Sequence, residues 1–308
     1  MSVVVVVGQV GRDLVLTVDG LPGAGGSAQV HERQELLGGK GANQAVACRQ
    51  LGARAHLVGV VGADRHGEEV LAQAAGDGIG VGGVVRRPGT PTALLVDVVG
   101  PRGTRRLLED VDPGVLLDAA DVRASRDLLR SADAVLVQLQ QPGPAVTAAL
   151  EAASAGGALT VADGAPADEQ VRRRVLRHAA VVRADVAETE ALAGWAPRDV
   201  PETVRAARSL LAEGPRVVAL AAPGEADVVA WPEGHVVLPH LGTDPVDPTG
   251  GGDAFVAALT VGLLGGEDPG TAAWWAAAAA AQVVGTAGGR PHLDPDRLRA
   301  AADRARRG

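Results

Sequence analysis

The chain has 308 residues, 46% of them hydrophobic and 21% charged, which is enough to bury a large core in one large domain or two medium ones. Its net charge of −8 argues against a surface that binds nucleic acid or an anionic membrane. A single cysteine, Cys48, excludes an internal disulfide, and the longest apolar run, Ala272–Ala281, is too short to span a bilayer. We therefore expect a cytoplasmic protein.

Besides a first buried strand, the first third of the chain contains paired strands that are predicted to have no helix between the members of a pair. The valine run Val3–Val7 is typical of a buried parallel strand. Apolar and polar residues then alternate in two stretches, about 12–37 and 91–110, and the second stretch contains a glycine- and proline-rich turn at 100–103. We expect these two stretches to form a small separate β-sheet that acts as a lid.

Strands and helices alternate along most of the remaining chain. The predicted strands are 3–7, 55–61, 134–139, 159–162, 179–182, 216–220, 228–231 and 235–238. The predicted helices are 41–51, 67–75, 144–155, 167–177, 202–213, 254–264, 270–284 and 295–306. This order predicts one α/β domain over residues 1–308, with a doubly wound, mainly parallel sheet, helices on both faces and ligands at the carboxyl ends of the strands.

The glycine-rich segment Gly78–Gly83 matches the spacing of a dinucleotide-binding fingerprint. It follows a helix, however, whereas the fingerprint follows a strand and opens a helix. We therefore interpret this segment as a loop.

Residues 37–45 form a glycine loop that enters a helix. Lys40 and Asn43 lie three positions apart, so both side chains can point from the first helical turn into one cleft. A lysine and a carboxamide suit a polyol, because each hydroxyl can donate to the amide oxygen or accept from the nitrogens. The alternative is an ordinary glycine-rich turn with a surface lysine.

A second glycine stretch, Gly250–Gly252, is followed by Asp253 and an apolar helical pattern. Backbone N–H groups of such a loop and of the first helical turn form a concavity for an anion. A carboxylate at its mouth suits phosphoryl transfer to a hydroxyl, with Asp253 as the base. The alternative is that Asp253 only caps the helix.

Both glycine loops resemble the signatures of the PfkB family of ribokinase-like carbohydrate kinases. The first string is GGKGANQAVA at 38–47, and the second is DPTGGGDAFVAAL at 247–259. The resemblance implies the ribokinase-like fold with a β-sheet lid and ATP-dependent phosphorylation of a primary hydroxyl of a pentose or related sugar. It also implies Mg²⁺, K⁺ as a further cation, and a homodimer that pairs through the lid.

The resemblance assigns residues to four roles. Asp253 is the implied general base, and the implied anion hole is Gly250, Gly251 and Gly252. The implied sugar site comprises Asp13, Gly39, Lys40, Asn43, Gln140 and Asp253. The implied nucleotide and Mg²⁺ residues are Asp185, Glu188, Gly224 and Gly252, with Glu188 holding Mg²⁺ through water. The implied monovalent-cation loops contain Asp247, Thr249, Val284, Ala287 and Gly289.

Three departures from the family pattern bear on the substrate. Gly11 replaces a sugar-site Asn, Gln140 replaces a sugar-contacting Glu, and the nucleotide loop at 221–226 lacks most of its fingerprint. A larger and less anionic pocket follows, so we expect a hexose or a modified pentose to be used better than ribose. The alternatives are a nucleoside or ketose kinase, or a catalytically weakened relative that binds a sugar or nucleotide.

Overall fold

The computed structural model describes residues 1–101, 104–224, 226–242, 247–286 and 288–307. The described strands form two sheets, one of nine strands and one of four. Within these ranges, no helix is both long and apolar enough to cross a membrane.

Strands and helices are numbered here in chain order. The described strands are β1 (Val3–Val7), β2 (Gly11–Val18), β3 (Val30–Gly38), β4 (Arg54–Gly62), β5 (Gly80–Arg87), β6 (Leu94–Val99), β7 (Arg105–Asp110), β8 (Ala134–Gln138), β9 (Leu159–Asp163), β10 (Val181–Ala184), β11 (Val217–Ala222), β12 (Ala226–Trp231) and β13 (Gly234–Pro239). The described α-helices are α1 (Lys40–Gln50), α2 (Arg65–Gly76), α3 (Ala119–Ala124), α4 (Arg126–Ser131), α5 (Gly143–Gly156), α6 (Glu169–His178), α7 (Val186–Ala193), α8 (Val200–Leu211), α9 (Gly251–Leu264), α10 (Pro269–Val284) and α11 (Pro295–Arg307).

The large sheet has the order β13-β12-β11-β10-β9-β8-β1-β4-β5. Its pairs are parallel from β11 to β5, and only β12 runs antiparallel to its two neighbours. From β1 the chain builds the sheet first toward β4 and β5 and later, from β8, in the opposite direction. This reversal confirms the predicted doubly wound α/β architecture and creates a crevice at the carboxyl ends of β1 and β8.

Helices cover both faces of the large sheet and bury its valine-rich strands. Along β1, Val4 and Val6 face the layer that contains α1, α2, α9, α10 and α11. Val5 and Val7 face the layer that contains α3 to α8. Because a central parallel strand is covered on both faces, all five residues of β1 can be valine, and every one after the first is buried.

The second sheet has the order β3-β2-β6-β7 and is built from the two alternating stretches near the start of the chain. The β2–β6 pair is parallel, whereas β2–β3 and β6–β7 are antiparallel. The predicted turn between β6 and β7 includes Arg102 and Gly103, which lie outside the described residues.

The prediction of a loop at Gly78–Gly83 was wrong, because this segment enters β5, an edge strand parallel to β4. Its glycines allow the two strands to approach closely. A Cβ at Gly80 would overlap the His56 ring, and one at Gly83 would lie 2.7 Å from the Leu57 carbonyl oxygen. Glycine therefore serves strand packing here.

Three element boundaries near the crevice also differ from the predictions. The predicted strand 179–182 lies two residues later, at Val181–Ala184, and it is followed by α7, for which no helix was predicted. The helix predicted from residue 254 begins at Gly251. Glycines have low helix propensity, but the ends of a helix tolerate them because packing of the rest of the helix decides its position.

Candidate active site

At the crevice formed by the carboxyl ends of β1 and β8, two glycines bring backbone segments into direct contact. Gly8 follows β1 and lies against Gly41 of α1, where a Cβ would come within 2.8 Å of the Gly8 carbonyl carbon. Gln138 ends β8, is buried, and accepts a 2.7 Å hydrogen bond from the Gln9 N–H. The segment that follows β1 therefore packs against the start of α1 at this crevice.

The first glycine loop places Lys40 at the start of α1. Gly39 is the N-cap residue and has φ 86°, a conformation that favours glycine. A Cβ at Gly38 would overlap the Asp13 carboxylate of β2, so Gly38 lets the small sheet approach α1. Asn43 is buried, and its Oδ1 has no hydrogen-bond partner among the described residues.

The second glycine loop opens α9. Gly250 is the N-cap residue with φ 76°, and a Cβ there would overlap the Gly289 carbonyl oxygen. The first helical hydrogen bond runs from Ala254 N–H to the Gly250 carbonyl oxygen over 2.9 Å. The preceding N–H groups therefore have no acceptor within the helix and can face an anion. Asp253 is the third helical residue, so the alternative that it caps α9 was wrong.

A buried polar chain connects α1, α9 and two strand ends. Gln44 Nε2 lies 3.1 Å from Asp253 Oδ1 and 2.8 Å from Asp163 Oδ2. Arg183 Nη1 of β10 donates to Asp163 Oδ1 over 3.1 Å. The order is therefore Asp253, Gln44, Asp163 and Arg183, with the aspartates at its first and third positions.

The Asp253 carboxyl is 7% exposed, and its burial raises its pKa to about 7. The negative charge of Asp163 raises this pKa further, whereas Lys40, the Gln44 hydrogen bond and Arg183 lower it. A carboxyl group whose pKa lies near neutral pH can accept and release a proton under working conditions. Asp253 thus has the electrostatic properties of a general base.

Asp13 is a second buried carboxyl group with a pKa of about 7. Burial is the main cause, and the negative charge of Asp97 on β6 adds to it. The charge of Asp253 also raises this pKa, so Asp13 lies within electrostatic range of α9. Burial lowers the pKa of Lys40, but the carboxylates Glu188, Asp163 and Asp253 outweigh it and the net pKa is raised, which keeps Lys40 charged.

Asp185 and Glu188 form the N-terminal cap of α7. Asp185 Oδ1 accepts from Glu188 N–H over 2.8 Å, and Glu188 Oε2 accepts from Asp185 N–H over 2.9 Å. Glu188 Oε1 lies 3.4 Å from Lys40 Nζ, so Glu188 reaches the crevice. The Asp185 carboxylate is engaged by the helix end, as a capping box requires.

A cavity of about 430 Å³ lies beside the second glycine loop and has the size of a small-molecule site. Gly251, Gly252 and Arg183 are among the residues that line it. Ala221 of β11 also lines the cavity, whereas Gly224 lies in the exposed turn after β11 and is not a lining residue.

The proposed cation loops lie against each other. Asp247 N–H donates to the Val284 carbonyl oxygen over 3.2 Å, and Asp247 Oδ2 accepts from Gly288 N–H over 2.8 Å. Asp247 Oδ1 accepts from the Thr249 N–H over 2.9 Å. The carbonyl oxygen of Gly289, a fourth member of the predicted set, lies against Gly250, and Ala287, the fifth member, lies outside the described residues.

The structure contradicts the expectation that Gly11 makes the pocket larger. A Cβ at Gly11 would lie 2.9 Å from the Ala93 carbonyl oxygen, because β2 packs directly against the segment that enters β6. Gln140 is exposed, and its Oε1 accepts a 2.9 Å hydrogen bond from Gln138. The absence of a side chain at Gly11 therefore creates no space for a bulkier sugar.

Sequence reasoning missed Gln44, Asp163 and Arg183. Gln44 directly follows Asn43 in the first signature and could have been noticed there. Asp163 ends β9 and Arg183 lies in β10, so polar residues at the carboxyl ends of predicted strands were the available signal.

Comparisons with known proteins agree with this fold and crevice. The family model for pfkB family carbohydrate kinases matches residues 1–296. The chain is 29% identical over 261 residues to the ribokinase of Mus musculus, covering 84% of this chain and 80% of that protein. It is 27% identical over 261 residues to the bifunctional ribokinase/ribose-5-phosphate isomerase A of Fructilactobacillus sanfranciscensis, covering 84% of this chain but only 48% of that longer protein.

A solved structure of Arabidopsis thaliana ribokinase, complexed with ribose and ATP, shares the fold. Its TM-score is 0.80 with 23% sequence identity, and the match covers 98% of each chain. Together with the family match along nearly the whole chain, this places the protein in the pfkB family, as an ATP-dependent carbohydrate kinase.

Proposed function

We propose that this kinase phosphorylates a primary hydroxyl of a pentose or related sugar, with Asp253 as general base and Gly250–Gly252 as anion hole. The observation that carries the proposal is the position of Asp253. This buried carboxyl group, with a pKa of about 7, follows a glycine loop whose N–H groups border a ligand-sized cavity.

In the proposed reaction, the sugar hydroxyl gives its proton to the Asp253 carboxylate as its oxygen forms a bond to the γ-phosphorus of ATP. The bond between that phosphorus and the β,γ-bridging oxygen breaks, and ADP leaves. Charge on the transferred group is stabilised by the free N–H groups at the start of α9.

We propose that the sugar lies between α1 and the small sheet. The Asn43 Oδ1 atom, buried without a described partner, supports this because a sugar hydroxyl would satisfy it. Asp13 would accept hydrogen bonds from sugar hydroxyls, and Lys40 would donate hydrogen bonds to hydroxyl oxygens. The Gly39 backbone would border the sugar ring. Gln140, which is exposed to solvent just after β8, is the proposed contact from that end of the sheet.

We propose that Glu188 holds Mg²⁺ through water, next to the ATP phosphates. One carboxylate with water and substrate phosphates is a donor set that suits Mg²⁺, whose bound ion would neutralise phosphate charge. Asp185 is engaged in the α7 cap, so its proposed role toward the nucleotide is to fix Glu188. Gly252 and Gly224 are the proposed nucleotide contacts, Gly224 by way of the β11–β12 turn.

We propose a K⁺ site between the loops that contain Asp247, Thr249, Val284, Ala287 and Gly289. Hydrogen bonds between the described residues of these loops support the site, because they hold the two loops side by side. A cation bound to backbone oxygens there would order the loop immediately before Gly250. Turnover should be faster in potassium buffer than in tetramethylammonium buffer. Equal turnover rates in the two buffers would contradict the proposed K⁺ site.

We propose a homodimer that pairs through the small sheets, with residues 1–308 forming one α/β domain in each subunit. The exposed Leu108 of the edge strand β7 supports pairing, because an open strand edge with an apolar side chain is suited to a partner. Light scattering during gel filtration gives the mass that tests it.

The deciding experiment for the function measures ADP release with ATP, Mg²⁺ and a panel of pentoses, hexoses, ketoses and nucleosides. We expect turnover with a pentose or related sugar, and loss of turnover in Asp253→Asn with the substrate still bound. Preference for a nucleoside or ketose would assign the other branch of the family. Binding without ADP release from any sugar would indicate a catalytically weakened relative.

A further inference from the structure

Arg183 lies where the second glycine loop meets the cavity. It belongs to β10, and its side chain is 15% exposed. A Cβ placed at Gly252 would lie 2.5 Å from Arg183 Nη2 and 2.8 Å from both Cζ and Nη1. The guanidinium therefore packs flat against the backbone of Gly252, and only glycine leaves space for it.

The hydrogen bonds of Arg183 leave donors for a ligand. A guanidinium has five N–H donors, and among the described residues the hydrogen-bond partner of Arg183 is the Asp163 carboxylate. Arg183 also lines the cavity together with Gly251 and Gly252. Free donors of a permanent cation thus border the same space as the N–H groups of α9.

The electrostatic surroundings keep this group charged. Burial lowers the pKa of Arg183, but the negative charges of Asp163, Glu188 and Asp227 outweigh burial and raise the pKa above its ordinary value. Removing an arginine from water is unfavourable without compensating charges. The three carboxylates supply that compensation before any phosphate arrives.

We propose that Arg183 is a catalytic residue that donates from its guanidinium to non-bridging oxygens of the transferred phosphoryl group. The proposal rests on the proposed site, since it requires the phosphates at the Gly250–Gly252 loop. Arg183 remains protonated throughout, while the hydroxyl proton passes to Asp253. Its role is to stabilise the charge on the phosphoryl group as one P–O bond breaks and the other forms.

The buried chain explains how the two groups act together. Asp163 holds Arg183 with one carboxylate oxygen and Gln44 with the other, and Gln44 contacts Asp253. The base and the proposed phosphoryl-binding cation are therefore fixed by one network. A planar guanidinium suits this position better than an ammonium group, because it can bond Asp163 and a phosphate oxygen at once.

The test compares Arg183→Ala with Arg172→Ala. Arg172 of α6 is the matched control, since it is 14% exposed and pairs with Glu213 over 2.7 Å, but its other described hydrogen bond is to the Leu192 carbonyl oxygen on α7 rather than to the crevice. We expect Arg183→Ala to lose roughly 10³-fold in kcat, whereas Arg172→Ala loses thermal stability and keeps kcat.

Chemical rescue separates catalysis from structural support. Guanidinium chloride at concentrations below the unfolding range should restore part of kcat in Arg183→Ala and should leave the kcat of Arg172→Ala unchanged. A wild-type kcat for Arg183→Ala, or a lost kcat that guanidinium does not restore in a folded protein, would overturn the proposal. If the alanine variant does not fold, Arg183→Lys is the second test, and wild-type kcat in that variant would equally overturn a role for the fork-shaped guanidinium.

Failure of the proposed site gives a different result. If Asp253→Asn keeps its turnover, the base is wrong, whatever Arg183 does. If Asp253→Asn is inactive while Arg183→Ala has normal kcat, the site stands and only the role of Arg183 is lost.

Discussion

Replacing Asp253 by Asn should make the protein more stable and nearly inactive. Burial raises the pKa of Asp253 from 3.8 to about 7, so from about pH 4 to about pH 7 the folded state holds a proton that the unfolded state has released. The free energy of unfolding therefore falls across this window and stays low above it. A shift of about three units corresponds to about 4 kcal/mol as an upper bound.

Asn removes the charge and keeps an oxygen that can accept from Gln44 Nε2. For 308 residues, an unfolding entropy of about 2.1 cal/mol/K per residue converts that upper bound into a shift of roughly 6 °C, so we expect the melting temperature of Asp253→Asn to exceed that of the wild type by up to roughly 6 °C at about pH 8. The difference should shrink toward pH 4 and vanish below about pH 3, where the carboxyl group is neutral in both states. Turnover should fall by roughly 10²–10⁴-fold, because the base is lost.

Thermal melts and urea titrations without ligand at several pH values measure the stability, and ADP release measures turnover. Asp268→Asn is the control with the opposite sign. Asp268 caps α10, and its hydrogen bonds from Thr271 lower its pKa, so its ionised form adds stability that is lost as pH falls. A variant at Asp253 that is no more stable than wild type at about pH 8 would refute the reasoning.

Three further predictions follow from the same contacts. Asp163→Asn should move the acid limb of the kcat/KM profile to lower pH, because the negative charge of Asp163 raises the pKa of Asp253; an unmoved limb would contradict that coupling. Gly252→Ala should reduce kcat far more than stability, since its methyl group would displace the guanidinium packed against it; normal kcat would contradict the packing. Gly11→Asn should destabilise the protein without improving ribose use, because its Cβ would lie 2.9 Å from the Ala93 carbonyl oxygen; improved kcat/KM for ribose would restore the idea of an open pocket.

Local patterns in the sequence were sufficient for much of the fold. The valine run of β1, the alternation of strands and helices and the two glycine loops each depend on residues close together in the chain. The same is true of Lys40 and Asn43, which share the first turn of α1. The Gly78–Gly83 segment was misread because its glycines serve contacts with β4, which the local pattern does not contain.

The sequence alone thus determined the family signatures, the α/β class and Asp253 as the candidate base. Only the tertiary structure assembled the network around that base, because Gln44 is separated by 119 residues from Asp163 and by 209 from Asp253. It also decided that Arg183 faces Gly252 and that Gly11 leaves no space. Contacts between residues so far apart arise when the strands pair and the helices pack, and burial then sets the pKa values that give these groups their chemistry.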